Sequence, residues 1–227
     1  MLIDYHVHTY LCKHADGTPE EYVKMALERG ISEIGFSDHC PWPDGFDSKY
    51  RMGVVDFPVY RRIVSDLKTK FPEIKIRYGL EVDWVTGRMD EIFRNLDNED
   101  FDYLIGSVHY ADDFPVDNPD FADKWAEKDC IGKIWVRYFE LLLEMVRSGK
   151  FDIIGHFDLP KKFGYYPSSM DRIRKMAENI LNVAAKNKMA IEINTGGLRK
   201  PVKEIYPSPE ILKNPALLVL SQSKHGV

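Results

Sequence analysis

Short apolar segments alternate with helical stretches along this chain, and five of the segments end on, or run into, a histidine or a glutamate. The first, residues 2–9, carries His6 and His8 two positions apart. Side chains alternate between the faces of a strand, so both imidazoles point the same way and can grip one metal ion. A lone His-x-His is more often a pair of polar residues on a half-buried strand. The later segments change that balance. Residues 31–37 close on Asp38-His39, residues 74–82 deliver Glu81, residues 101–108 meet His109, and residues 151–155 meet His156.

Between these segments lie helix signals. Thr18-Pro19-Glu20-Glu21 reads as a capping box with proline in the first turn, opening a helix that Gly30 stops. Further helices are expected over residues 57–71, 89–96, 169–187 and 207–213. Another carries Ile131, Ile134, Trp135, Tyr138, Leu142, Met145 and Val146 at the helical period, a stripe that reads as core. Residues 40–56 and 110–120 read as long loops of the kind tied to binding. A sixth strand is expected over 189–194, with Ala190, Glu192 and Asn194 on one face, and a seventh over 216–220. Alternation of this kind predicts an α/β fold with a parallel sheet that can close into a barrel, whose functional groups gather at the carboxyl ends of the strands.

With 227 residues and 44% hydrophobic content, the chain is expected to form one domain over residues 1–227. A net charge of -5 with dispersed basic residues excludes the footprint of a nucleic-acid binder. No window reaches the roughly 18 apolar residues of a membrane span, and no leader-like segment opens the chain. A cytoplasmic protein with small-molecule partners is expected. Three cysteines, Cys12, Cys40 and Cys130, are too few for a disulfide framework and read as buried reduced thiols.

Six of the seven histidines fall in or just after the first five strand ends or, for His14, in the first loop. Histidine with carboxylate is a usual ligand set for zinc, manganese or iron. His6, His8, His14, His39, Glu81, His109 and His156 exceed the ligands of one catalytic ion, so two or three divalent ions are implied, with Glu81 the natural bridge. Ions about 3.5–4 Å apart can share a water and stabilise the entering and leaving oxygens of a phosphoryl displacement. A small phosphorylated substrate also needs fixed positive charge. Arg199, just beyond the sixth strand, is the first candidate and Arg51 the weaker one.

Seven segments resemble the PHP (polymerase and histidinol phosphatase) superfamily and its histidinol-phosphatase branch. They are Asp4-Tyr5-His6-Val7-His8-Thr9, Lys13-His14-Ala15-Asp16-Gly17, Phe36-Ser37-Asp38-His39, Gly79-Leu80-Glu81, Gly106-Ser107-Val108-His109-Tyr110, Gly155-His156-Phe157-Asp158 and Glu192-Ile193-Asn194-Thr195-Gly196-Gly197-Leu198-Arg199-Lys200. The resemblance implies a distorted seven-unit (βα) barrel of TIM-like PHP fold and hydrolysis of L-histidinol phosphate to L-histidinol and phosphate, in histidine biosynthesis. It further implies that His6, His8 and Glu81 hold one ion, Glu81, His109 and His156 a second, and His14 and His39 a third. Glu81, Asp38 and Arg199 would carry the chemistry, and Arg199, Arg51 and Asn194 the phosphate. For such a substrate, Asp112 and Asp117 are candidates to receive the amine, and Trp42 or Phe46 to face the ring.

One departure stands out. The family's last strand ends in Asp-x-His before a closing helix. This chain has Gln222 and Lys224 at those positions, with His225 one residue late, so the closing C-terminal helix is expected to be missing. His225 is a weaker ligand candidate, since a one-residue slip turns a strand side chain to the other face. An apolar strand face left uncovered would favour either a homo-oligomer or reduced stability. Two alternatives remain: another small phosphate ester as substrate, or a metal-binding module whose catalytic site is disabled.

Overall fold

In the computed structural model, which describes residues 2–126 and 130–214, β1 (Ile3–Val7) pairs in parallel with β2 (Glu33–Phe36), matching Ile3 with Glu33 and Asp4 with Ile34. The connection between them is α1 (Pro19–Glu28), and its start is the expected capping box. The Thr18 N–H donates to Glu21 Oε2 at 2.6 Å, and the Glu21 N–H to Thr18 Oγ1 at 3.3 Å. Parallel neighbours need such a crossover, because a tight hairpin can only reverse the chain.

The same logic repeats through α2 (Phe57–Lys70) to β3 (Lys75–Asp83), which pairs with β2 from Glu33–Lys75 to Phe36–Tyr78. It repeats again through α3 (Met89–Leu96) to β4 (Tyr103–Ser107). The chain divides into two compact units, one comprising the chain up to Val82 with Gly87–Ile105, the other Asp83–Thr86 with the chain from Gly106 onward. The first unit holds strands in the order β1-β2-β3-β4.

Its core is knitted by Tyr103. The phenol donates to the Tyr5 carbonyl at 2.6 Å and the Phe36 carbonyl at 3.2 Å, so one side chain ties three strands. The ring can lie across the sheet only because Gly35 and Gly79 carry no side chain; a Cβ at Gly79 would overlap the Tyr103 ring. Tyr60, fully buried, donates to the Gly79 carbonyl at 2.8 Å. The backbone that leads to Glu81 is therefore bonded by Tyr60 and packed against the Tyr103 ring.

In the second unit, the 110–120 stretch expected as a loop contains a hairpin of β5 (Tyr110–Ala111) and β6 (Phe114–Pro115). Its turn places Asp112 at φ 55°, a conformation that aspartate tolerates better than most residues. Then follow α4 (Ile131–Ser148), β7 (Ile153–Ile154), α5 (Asp171–Lys186), β8 (Ala190–Ile191) and α6 (Pro209–Leu212). The sheet order is the end of β4, then β7, then β8, with the Gly155 N–H donating to the Gly106 carbonyl at 2.9 Å. Ile134, Trp135, Tyr138, Leu142, Met145 and Val146 of α4 are buried, so the helical stripe is core as expected.

The sixth strand is shorter than its apolar pattern suggested. Asn194 leaves the parallel ladder to pair with Tyr206, the Asn194 N–H donating to the Tyr206 carbonyl at 2.7 Å and the Tyr206 N–H returning at 2.9 Å. The seventh strand expected over 216–220, and His225, lie outside the described residues. Among the described residues, no helix is long and apolar enough to cross a membrane. Because overpacking a filled core costs roughly 1–3 kcal/mol, Gly79→Ala should lower the melting temperature by several degrees. In a double-mutant cycle with Tyr103→Leu the two losses should be less than additive, because the ring that the new methyl meets is gone, and an unchanged melting curve for Gly79→Ala would contradict the packing described.

Candidate metal centre

In the first unit the end of β1 presents His6 and the next-but-one residue, His8, on one face. The bridge between His39 and Glu81 brings the ends of β2 and β3 level. The Glu81 N–H donates to the Asp38 carbonyl at 3.0 Å and the Cys40 N–H to the Glu81 carbonyl at 2.7 Å. A single oxygen of Glu81, Oε2, is then met by His39 Nδ1 at 3.0 Å, His6 Nε2 at 3.2 Å and His8 Nε2 at 3.5 Å. Glu81 itself is fully buried.

Such a carboxylate needs a cation, since burying a charge without one is strongly unfavourable. Atoms that share one ion at about 2.0–2.2 Å lie about 2.8–3.6 Å from each other, and the three separations fall in that range. His6, His8 and Glu81 each offer a ligand atom within 4.8 Å of the others, and so do His8, His14 and His39. The imidazoles of His8 and His39 stack at 4.6 Å, with His14 5.4 Å and 5.2 Å from them. The donor set and its convergence fit divalent metal.

Asp38 lies beneath this cluster, fully buried. Its Oδ1 accepts the Thr9 N–H at 2.5 Å and faces His8 Nδ1 at 3.7 Å, while Oδ2 accepts the Thr9 hydroxyl. Both oxygens are thus engaged by Thr9, with the His8 ring beside one of them. Cys12 Sγ comes within 4.8 Å of ligand atoms of His8 and Asp38. Burial pushes the Cys12 thiol up to about 11, so it is a protonated, buried thiol, as the sequence implied. The Cys12 carbonyl lies 2.9 Å from His14 Nδ1, which turns that exposed ring.

The second unit carries its own donors. His109 follows β4 and His156 follows β7, and their rings meet edge-on at 4.8 Å. His109 Nδ1 is hydrogen-bonded to Asp83, a buried residue at the end of β3. A carboxylate on one ring nitrogen fixes the tautomer and presents the other nitrogen to a metal. Asp83 was missed from sequence, although its place two residues after Glu81 on the same strand face was the available signal. The backbone of His156 is held twice: its N–H donates to Glu192 Oε2 at 2.8 Å and its carbonyl accepts from Tyr138 at 3.1 Å.

Other candidates fare differently. Arg51 is buried, donating to Asp47 at 3.0 Å and to the Cys40 carbonyl at 3.2 Å, so its guanidinium holds the 40–56 loop together. Trp42 is buried too, with Arg88 4.6 Å over its ring, while Phe46 is exposed. Asp112 pairs with Arg137 at 2.8 Å. Asp117 receives Lys162 Nζ at 3.1 Å; burial opposes its charge, but His109, Lys162 and His156 outweigh that and hold the carboxyl below its usual range. Lys162 was not anticipated. Arg199 is exposed at the end of a short 3-10 turn, Thr195–Arg199, and Asn194 Oδ1 caps that turn by accepting the Gly196 N–H at 2.7 Å.

The PHP domain family matches residues 4–196 of this chain. A Deinococcus radiodurans protein named "Probable histidinol-phosphatase" is 40% identical over 213 residues, covering 93% of this chain and 80% of its own. The Bacillus subtilis "Histidinol-phosphatase" is 29% identical over 218 residues, covering 87% and 81%. Among solved structures, a Lactococcus lactis histidinol phosphate phosphatase complexed with zinc, L-histidinol and phosphate superposes with a TM-score of 0.76 at 24% identity, over 97% of this chain and 81% of that one. With its histidine and carboxylate motifs in the family's order and a family match over most of its length, this chain belongs to the PHP domain family, in the histidinol-phosphatase branch.

Proposed function

We propose that this protein hydrolyses L-histidinol phosphate to L-histidinol and phosphate, using two or three divalent ions. The observation that carries the reading is the buried Glu81 oxygen facing three imidazole nitrogens at 3.0–3.5 Å. When bound, the ions supply Lewis acidity and a nucleophilic water at neutral pH. A histidine-carboxylate set suits zinc, manganese or iron.

The residues divide by task. His6, His8 and Glu81 form one donor group of the first unit, and His14 and His39 extend it. Asp38, occupied by Thr9, orients His8 and is a positioning residue. His109 and His156 are the donors of the second unit, with Asp83 fixing the His109 ring. Arg199 matches phosphate oxygens through its planar fork. Asp117, kept ionised, suits the ammonium group of an amino-alcohol phosphate.

A panel of small phosphomonoesters tests the substrate. Histidinol phosphate should be the preferred ester, with hydrolysis lost to a chelator and restored by metal. Arg199→Ala should raise KM by about tenfold or more, the loss of a charge-assisted pair. Equal rates on all esters would defeat the specific assignment, and bound ions with no turnover would favour the metal-binding module. Removal of an outer-shell partner typically lowers metal affinity about 10–100-fold, so Asp83→Ala should do so in a chelator competition. An unchanged affinity would remove Asp83 from the site.

A further inference from the structure

Beyond the donors themselves, a short chain of hydrogen bonds joins two functional arms of the second unit. Glu192 follows β8, and each of its carboxylate oxygens has a donor. Oε2 accepts the backbone N–H of His156 at 2.8 Å, and Oε1 accepts Nδ2–H of Asn194 at 2.7 Å. Asn194 passes the connection on, because its Oδ1 accepts the Gly196 N–H at 2.7 Å and so caps the turn that ends in Arg199. The Asn194 backbone is pinned in both directions by Tyr206. Both ends of the Asn194 amide are therefore used internally, which suits a linking residue better than a phosphate contact.

The chemistry of the middle residue matters. Only a carboxylate offers two acceptor oxygens and no donor. Glutamine, identical in shape, would set an N–H against the His156 N–H or against the Asn194 amide, and a lost or opposed bond at a part-buried group is costly. We propose that Glu192 and Asn194 are positioning residues that tie the metal arm at His156 to the phosphate arm at Arg199. One pair then sets both ion retention and phosphate affinity. This rests on the phosphatase reading for the roles of His156 and Arg199, while the hydrogen-bonded link stands on its own.

Two measurements on zinc-loaded protein test it, neither needing turnover: the rate of zinc release to a chromophoric chelator, and the Kd of inorganic phosphate by calorimetry. Glu192→Gln should speed zinc release by about tenfold, as outer-shell changes do, and weaken phosphate severalfold. The double variant E192Q/N194D should restore both, because the glutamine N–H then meets a carboxylate at position 194 that still accepts the Gly196 N–H. Asn194→Ala, which keeps the bond between Glu192 and His156, should weaken phosphate and leave zinc release close to that of the parent. This variant keeps the test decisive if Glu192→Gln folds poorly. Glu192→Gln behaving as the parent in both measurements, a double variant no better than the single, or Asn194→Ala with unaltered phosphate affinity would each overturn the proposal. If the parent protein hydrolyses no histidinol phosphate, the phosphatase reading fails separately, since both measurements can still be made.

Discussion

A buried carboxylate ringed by imidazoles is the interaction on which the first unit depends. Glu81 has no exposure, and one of its oxygens lies 3.0–3.5 Å from nitrogens of His39, His6 and His8. Without a cation such a group is a heavy penalty on folding; with one it is a site. Much of the surrounding structure serves to keep that oxygen in place. Parallel pairing brings three strand ends level, Tyr103 ties β1 to β2, Tyr60 grips the backbone on the way to Glu81, and Thr9 clamps Asp38 beside His8.

The second unit uses the same economy of parts in a different form. His109 is steered by Asp83, and His156 is held through its backbone by Glu192 and Tyr138. The holders come from other elements than the donors they hold: Asp83 from the end of β3, Glu192 from just after β8 and Tyr138 from α4.

Charge in the loops works mainly for the fold. Arg51 closes the 40–56 loop, Asp112 anchors Arg137, and the buried Lys161 reaches Asp158 at 3.0 Å, Glu204 at 2.7 Å and the Ile205 carbonyl at 2.7 Å. A loop residue of suitable charge is therefore weak ground for a substrate contact. Arg199, exposed at the end of a capped turn, and Asp117, beside Lys162, are the exceptions.

Sequence alone determined the alternation of strands and helices, the capping box at Thr18, the core stripe of α4, and the histidines and glutamate at the strand ends. These are local or periodic properties, written in the order of the residues. The tertiary structure decided what depends on which groups meet. It converged His6, His8 and His39 on one oxygen, turned Arg51 and Trp42 inward, shortened the sixth strand by pairing Asn194 with Tyr206, and recruited Asp83 and Glu192 as holders. Sequence spacing shows which face a side chain takes, whereas its partner is set by contacts between residues far apart in the chain.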